Sequence, residues 1–527
     1  MPGRTVLQWD KDDCAYAGLV KFDLLGLGML AALHDCFALV NAYYATSWSM
    51  SCIPQEDPAV YEMLCQADTV GVFQVESRAQ MATLPRLRPR QFYDLVIEVA
   101  LIRPGPIQGG SVHPYLRRHD GLEEPAMPHE SMREALGKTL GVPLFQEQMM
   151  QLAIDCAGFT PAEADRLRQA MSAKRAPERI EELRQRLLDG MAERGIGAGV
   201  AEDIYEKILA FSSYGFPESH AISFAYLVYA SAWLKRYYPA AFTTALLRNQ
   251  PMGFYAPHSL INDARRHGVT VLGVDVNASD ALATLERTAD PEDPAIRPGL
   301  AGVRNLGLAK AERVAAGRPY LDLEDFASRT ALPAPALEAL ATAGAFGCFG
   351  LSRRAALWAA GLAASVREGQ LPGTVPGLDP GGPGSAPPLP AMTPTEETLA
   401  DLWATGTYAT HPVVHVRPWL AARQVLTATA FGSAADHTQV VVAGLVTHRQ
   451  RPSTARGVVF ISLEDETGLV NVICPPHVWE RHRRVATEAP ALLVHGRVER
   501  TGGAVNLVAA ALRPLRVTAV VPSRDFR

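Results

Sequence analysis

Cysteine is scarce and unpatterned in this 527-residue sequence: the seven residues Cys14, Cys36, Cys52, Cys65, Cys156, Cys348 and Cys474 never form Cys-x-x-Cys. Their odd number and irregular spacing exclude a zinc ribbon and a disulfide scaffold and fit a reducing compartment. No run reaches the roughly 18 uninterrupted apolar residues of a membrane span. The opening MPGRTVLQWDKDD is polar and charged, so no signal peptide is read there, and a cytoplasmic location without a membrane partner is expected. A basic excess is also missing: 50 Lys and Arg face 55 Asp and Glu, so any nucleic-acid binding must rest on local patches. Two motif lookalikes fail. Gly137-Lys138-Thr139 has Met132 where a phosphate loop needs its first glycine, and His129-Glu130 has Arg133 where a zinc protease needs its second histidine.

What is present suits a large soluble protein of about three or four domains. Residues 1–50 combine a strand-like piece, Leu19 to Leu25, with a helix expected from about Met29 to Tyr44. Residues 51–290 read as helical. Thr160-Pro161 is an N-cap followed by proline at the first helical position. SFAYLVYASAWLKRYYPAAFTTALL predicts a buried helix, a turn at Pro239 and another helix. In residues 291–365, Gly302 and Gly307 flank a short turn before a helix carrying Lys310, the pattern of a helix-hairpin-helix; 341–358 reads as a degenerate second copy. Backbone N–H groups of such a turn can hold a phosphate, although glycine turns between helices are common without one. Residues 372–390 hold seven prolines and five glycines in nineteen positions, so 366–395 is read as a linker and 396–430 as a connecting segment. In 431–527, five alternating strands with a helix at about 477–486 predict an OB-type barrel. Arg449, Arg451, Arg456 and Phe460 are candidates for a single-strand-binding face, with a barrel used for packing as the alternative.

Arginine is concentrated locally. From Arg78 to Arg118 seven arginines face only Asp94 and Glu98, without a lysine, which suits bidentate phosphate recognition. A second cluster comprises Arg166, Arg168, Lys174 and Arg175. In LVKFDLLGLGML, an extended chain puts Lys21 and Asp23 on one face among hydrophobes. The two either pair with each other at a strand edge or serve as a phosphate-binding lysine beside a metal-binding carboxylate.

Six blocks decide between these readings: GLVKFDLLGLGML, TVGVFQVESRAQM, ALIRPGPIQGG, PLFQEQMMQLA, EADRLRQAM and YGFPESHAISFAYLVYASAWLKRYYPAAF. In collinear order they resemble the C-family DNA polymerases of bacteria, the polymerase III alpha-subunit type. GGSVHPYLRR and QPMGFYAPHSLINDARRHGVTVLGVDVNAS resemble the error-prone branch. The resemblance implies a multidomain, mainly α fold with an α/β palm remnant (1–50), helical fingers (51–290), tandem helix-hairpin-helix elements and a C-terminal OB-type barrel. It makes Asp23 a catalytic, Mg²⁺-binding carboxylate and places Lys21 near the incoming nucleotide. Arg103, Ser219 and His220 would contact the triphosphate, with Gln146, Gln148, Arg166 and Arg168 as further candidates. Without the family, the glutamines would read as helix packing and capping, and His220 as a core histidine. Replicative members tend to have lysine before the Ser-His pair; here Glu218 stands there, so a phosphate-binding role does not transfer.

Two-metal nucleotidyl transfer needs several carboxylates. The family supplies two more from an Asp-x-Asp motif well upstream of KFDLLGL; Asp10, Asp12 and Asp13 of QWDKDD do not substitute for it and are expected on an exposed turn. The chain alone is therefore expected not to polymerise, and a separately encoded N-terminal polymerase half to complement it. A non-catalytic DNA-binding remnant is the alternative. Primer-template DNA and dNTPs are the implied partners, with accessory damage-tolerance proteins and, indirectly, a sliding clamp. No exonuclease motif and no glutamine-led clamp motif is visible.

Overall fold

The computed structural model describes residues 8–9, 11–20, 26–103, 112–125, 127–171, 176–211, 216–365, 389–452, 455, 457–517 and 523–526. Lys21 and Asp23 lie outside them, as do Lys174, Arg175, Arg456 and most of the Pro/Gly-rich linker. The chain is mostly helical, with one barrel. Residues 11–16 form a short helix, Lys11–Tyr16, in place of the exposed turn that the charged sequence predicts, and the predicted first long helix is Leu27–Tyr44.

The large helical region, read from the sequence as the fingers and so called below, is built around the helix Glu218–Tyr237. Its buried residues Ala221, Ala225, Val228 and Ala232 let it lie against Phe92–Leu101, in which every residue from Asp94 onward is buried. Aromatic pairs lock this helix along its length: Phe92–Tyr226 at 5.4 Å, Tyr61–Tyr229 at 5.7 Å and Trp48–Trp233 at 5.1 Å between ring centroids. Of these rings Tyr61, Tyr229 and Trp233 are buried, each contributing about 1.5–3 kcal/mol through burial alone. The chain turns at Pro239 and continues as Pro239–Arg248, as its sequence predicts.

A helical sub-bundle of Gln146–Ala157, Pro161–Met171, Ala176–Glu193 and Ala198–Phe211 has its own core, including Leu152, Leu167, Leu187 and Ile208. Thr160 caps its second helix: the Thr160 hydroxyl accepts from the Glu163 N–H, and the Glu163 carboxylate accepts from the Thr160 N–H. Gly190 allows a close helix approach, since a Cβ there would stand 2.0 Å from the Ala157 carbonyl oxygen.

After a two-stranded hairpin, β1 (Thr284–Glu286) with β2 (Ala295–Arg297), comes the glycine-turn region. Its first hairpin has only a 3₁₀ turn, Leu300–Gly302, before the helix Gly307–Ala316. The second runs from Ala334–Thr342 through a turn to Arg353–Ala363, which Ser352 caps. Both close on one core containing Leu300, Val314, Phe326, Leu340 and Phe346.

The C-terminal barrel comprises β3 (Gln439–Gln450), β4 (Val459–Glu464), β5 (Leu469–Cys474), β6 (Ala491–Thr501) and β7 (Ala504–Pro514). Their order is β4-β5-β7-β6-β3, and β3 pairs back onto β4 to close the sheet. The helices Pro476–Arg481 and Arg483–Glu488 fall between the third and fourth barrel strands. This is the expected OB topology. Period-2 alternation puts Val459, Ile461 and Leu463 of β4 inside, and hence Phe460, Ser462 and Glu464 outside. A short strand, β8 (Arg524–Phe526), adds to the sheet in parallel beside β3.

Candidate nucleotide and nucleic-acid sites

Three sequence candidates meet at the entrance to the central fingers helix. Pro217 is the N-cap of Glu218–Tyr237, so Ser219 and His220 fall in the first turn. The Arg103 guanidinium lies 3.4 Å from the centroid of the Phe216 ring, and its Nε donates to the Val99 carbonyl. His220 meets the same Phe216 ring edge-on at 5.1 Å and Phe224 at 4.2 Å. Phe216 thus brings Arg103 and His220 together, while Ser219, the residue before His220, is exposed. Burial lowers the Arg103 pKa from its usual value, so the cation is partly stripped of water and interacts more strongly with any anion that reaches it. The helix entrance already carries acid: the Glu218 N–H donates to a Glu147 carboxylate oxygen at 2.9 Å, and Glu218 accepts from the Tyr93 hydroxyl at 2.6 Å. Glu218 is therefore a structural anchor.

The glutamines divide. The Gln148 side chain accepts from the Leu144 and Phe145 N–H groups and donates to the Ala135 carbonyl and the Thr139 hydroxyl. Its hydrogen-bonding capacity is spent on packing and capping, which overturns its candidacy as a triphosphate ligand. Gln146 is buried, and its backbone N–H donates to the Phe216 carbonyl. Arg166 lies on the helix Pro161–Met171, and on the same helix Arg168 pairs with Asp165 one turn away.

On the hairpin, nothing stands within 4 Å of a Cβ built on Gly302 or Gly307, so this backbone is open to close approach. Gly307 has φ +68°, a left-handed conformation that favours glycine. Lys310 Nζ donates to the Asn305 carbonyl, which tethers its charge to the turn that the two glycines flank.

The barrel overturns one expectation. Arg449 is buried, with Nε donating to the Ala486 carbonyl and Nη2 to that of Ala489, so it pins the barrel helices instead of facing a ligand. The outer face of β4 and β5 is occupied by the fingers. Arg78 Nε donates to Ser462 Oγ at 2.5 Å, and Leu469 packs on the fingers core. Glu464, fully buried, accepts from Ser259, Asn262 and Arg266. The turn between β6 and β7 joins this dock, where a Cβ on Gly502 would stand 2.5 Å from the Arg86 side chain. His448 completes it by stacking on Phe254 at 4.1 Å.

Behind Glu464 runs a charge network that shows in the sequence only as an interrupted apolar run. Lys235 Nζ lies 2.9 Å from Asp68, 2.7 Å from Asp263 and 3.0 Å from the Val70 carbonyl oxygen. Burial alone lowers the Lys235 pKa, but the two carboxylates outweigh it and hold it above its usual value. His267 shares a 2.6 Å hydrogen bond with Asp68, and its pKa is raised, chiefly by that bond. The signal was the single lysine inside SFAYLVYASAWLK. Glu98 was also missed: fully buried in Phe92–Leu101, its two oxygens find no hydrogen-bond partner among the described residues, and burial pushes its pKa well up.

Asp68, Asp263 and His267 form the one group of ligand atoms, among the described residues, near enough together for a metal. It does not fit Mg²⁺, because the Lys235 ammonium already occupies the space between its carboxylates. QWDKDD does spell Asp-x-Asp at Asp10 and Asp12, but Asp10 and the Asp12 side chain lie outside the described residues.

With this geometry in place, the comparisons with known proteins are specific. Residues 29–195 match the family model of the bacterial DNA polymerase III alpha subunit finger domain, 268–356 the helix-hairpin-helix motif, and 440–515 the OB-fold nucleic acid binding domain. The whole chain is 57 % identical to a protein named error-prone DNA polymerase from Mycobacterium bovis, of which it covers 48 %. Proteins of the same name from Nocardia farcinica and Anaeromyxobacter dehalogenans are 56 % and 51 % identical over the whole chain, which covers 46 % and 47 % of them. The chain thus spans about half the length of the curated relatives it matches. Among solved structures, an asparaginyl-tRNA synthetase from Pyrococcus horikoshii aligns at 22 % identity with a TM-score of 0.14, covering 16 % of this chain and 21 % of that one. Over its whole length the chain is thus similar to the C-terminal half of a C-family-type DNA polymerase.

Proposed function

We propose that this chain supplies the nucleotide-gripping and DNA-holding half of an error-prone, DNA-directed DNA polymerase that works in damage-tolerant repair synthesis. The observation that carries this is end-to-end similarity, 57 % over the whole chain, to proteins named error-prone DNA polymerase. The juxtaposition of Arg103 and His220 on Phe216 supports it, because a half-buried guanidinium beside a helix entrance suits a triphosphate. In this reading Arg103, Ser219 and His220 orient the incoming dNTP, with Lys21 nearby. Gly302, Gly307 and Lys310 hold the duplex backbone of the primer-template.

Asp23 contributes one metal-binding carboxylate. DNA polymerases of this family generally use Mg²⁺, and no set of described side chains fits that ion, so its remaining ligands come from carboxylates outside these residues. A separately encoded N-terminal half is the partner that would bring them; accessory damage-tolerance proteins and, through them, a sliding clamp complete the assembly.

Primer extension tests the proposal. The purified 527-residue chain with dNTPs and Mg²⁺ is expected to extend nothing, and mixing with the N-terminal half of a related polymerase to restore Asp23-dependent synthesis. Robust extension by the chain alone refutes the shared site. A folded, DNA-binding but inactive mixture refutes the polymerase reading in favour of a DNA-binding remnant.

A further inference from the structure

Of the barrel surface that OB folds most often offer to oligonucleotides, the outside of the second and third strands and the loop between the fourth and fifth are spent here on the fingers. The opposite side is open. There the segment 412–423 lies over β3, β6 and β7 and leaves a groove of about 750 Å³. Trp419, 48 % exposed, stands on its wall with the Arg423 guanidinium stacked 4.1 Å from the ring centroid. Arg513 and Arg516 are exposed and line it from β7 and the residues just after, joined by His415 and His495. Not one Asp or Glu is among the lining residues. Neither Arg513 nor Arg516 has a carboxylate partner among the described residues, whereas Arg417, on the same overlying segment, is paired with Asp465 and Glu466.

We propose that this groove binds single-stranded nucleic acid, with Trp419 as the stacking platform for a base and Arg423, Arg513 and Arg516 holding the phosphates. An exposed indole beside uncompensated guanidiniums is the combination that single-strand sites use, because unstacked bases present π-faces while the backbone presents regularly spaced anions. An acidic peptide would satisfy the charges and leave the indole without a planar partner. The inference rests on the polymerase reading only in that such a chain meets an unpaired template strand.

Fluorescence anisotropy of 5′-fluorescein-(dT)12 with the full 527-residue chain tests it. Trp419→Ala should weaken binding at least about five-fold, in keeping with the loss of one base stack, and Trp419→Phe should recover most of it. Arg513→Gln/Arg516→Gln should weaken binding and make the plot of log affinity against log salt shallower by about 1.4, roughly 0.7 for each phosphate no longer neutralised. Melting curves check that each variant is folded. Unchanged (dT)12 affinity in both folded variants overturns the proposal. So does equal, equally Trp419-dependent binding of a 12-base-pair duplex, or displacement of (dT)12 by polyglutamate at matched charge, which would assign the groove to an acidic protein. The two readings fail separately. Intact primer-template binding that is lost only with Lys310→Glu, alongside inert groove variants, sinks the groove and leaves the polymerase. Groove-dependent (dT)12 binding without restored extension does the reverse.

Discussion

Replacing Glu464 with glutamine should loosen the barrel from the fingers. Glu464 is fully buried on the outer face of β4, and its Oε1 lies 3.2 Å from Arg266 Nη1. At an effective dielectric of 20 that separation corresponds to about 5 kcal/mol of attraction, most of it offset by the several kcal/mol needed to desolvate each ion. Removing one partner of such a pair costs about 3–5 kcal/mol because the other stays buried and charged. Arg266 retains Asp263 at 3.4 Å, and glutamine can still accept from Ser259, so the expected loss lies at the low end, about 3 kcal/mol. Hydrogen exchange of the amides in 259–266 and 459–464, measured on the whole chain, reads the opening free energy of the dock directly.

The pH dependence has a fixed sign. Burial alone pushes the Glu464 pKa up, but Arg266 and the other neighbours outweigh it and hold the carboxyl below its usual value. A depressed acid contributes stability that is complete above its unfolded pKa, about 4.3, and is lost as pH falls through the folded value. The gap between wild type and Glu464→Gln should therefore be full at pH 7 and narrow below about pH 4. A gap under about 1 kcal/mol at pH 7, well short of the buried-pair range, or one that widens in acid, refutes the reasoning.

Glu98 predicts the opposite sign. Its folded pKa lies above the unfolded value, so its contribution is most favourable in acid and declines as pH rises. Glu98→Met, close in volume, should stabilise the fingers by about 1–3 kcal/mol at pH 8, the cost of an unsatisfied buried polar group, and by less at pH 5; urea denaturation at the two pH values checks this. Arg103→Ala, assayed in the complemented enzyme, should raise the KM for dNTPs roughly ten-fold or more, the value of one charge-assisted hydrogen bond. Primer-template affinity should stay unchanged; a fall there without a change in KM would move Arg103 from the nucleotide to the DNA.

Local patterns were legible because their causes are local. The Thr160-Pro161 cap, the break at Pro239, the alternation of β3 to β7 and their turns each depend on residues a few positions apart, and the helices and strands fell where those residues put them. The six collinear blocks were enough to identify the family. Arg103 and His220 were named from motifs far apart in sequence, but that they share the Phe216 ring follows from how the fingers pack. Gln148 could be read equally as ligand or cap, and four hydrogen bonds to partners before and at the start of its helix decided it.

The sequence by itself determined the fold class and lineage, since periodicity, capping and motif order are written in neighbouring residues. Only the tertiary structure decided which charges are spent and which are free. Lys235, Arg266, Glu464 and Arg449 are consumed in buried pairs and pins, because desolvating a charge demands partners brought from elsewhere in the chain. Arg513 and Arg516 stay in water beside Trp419 because docking to the fingers covered the other side of the barrel.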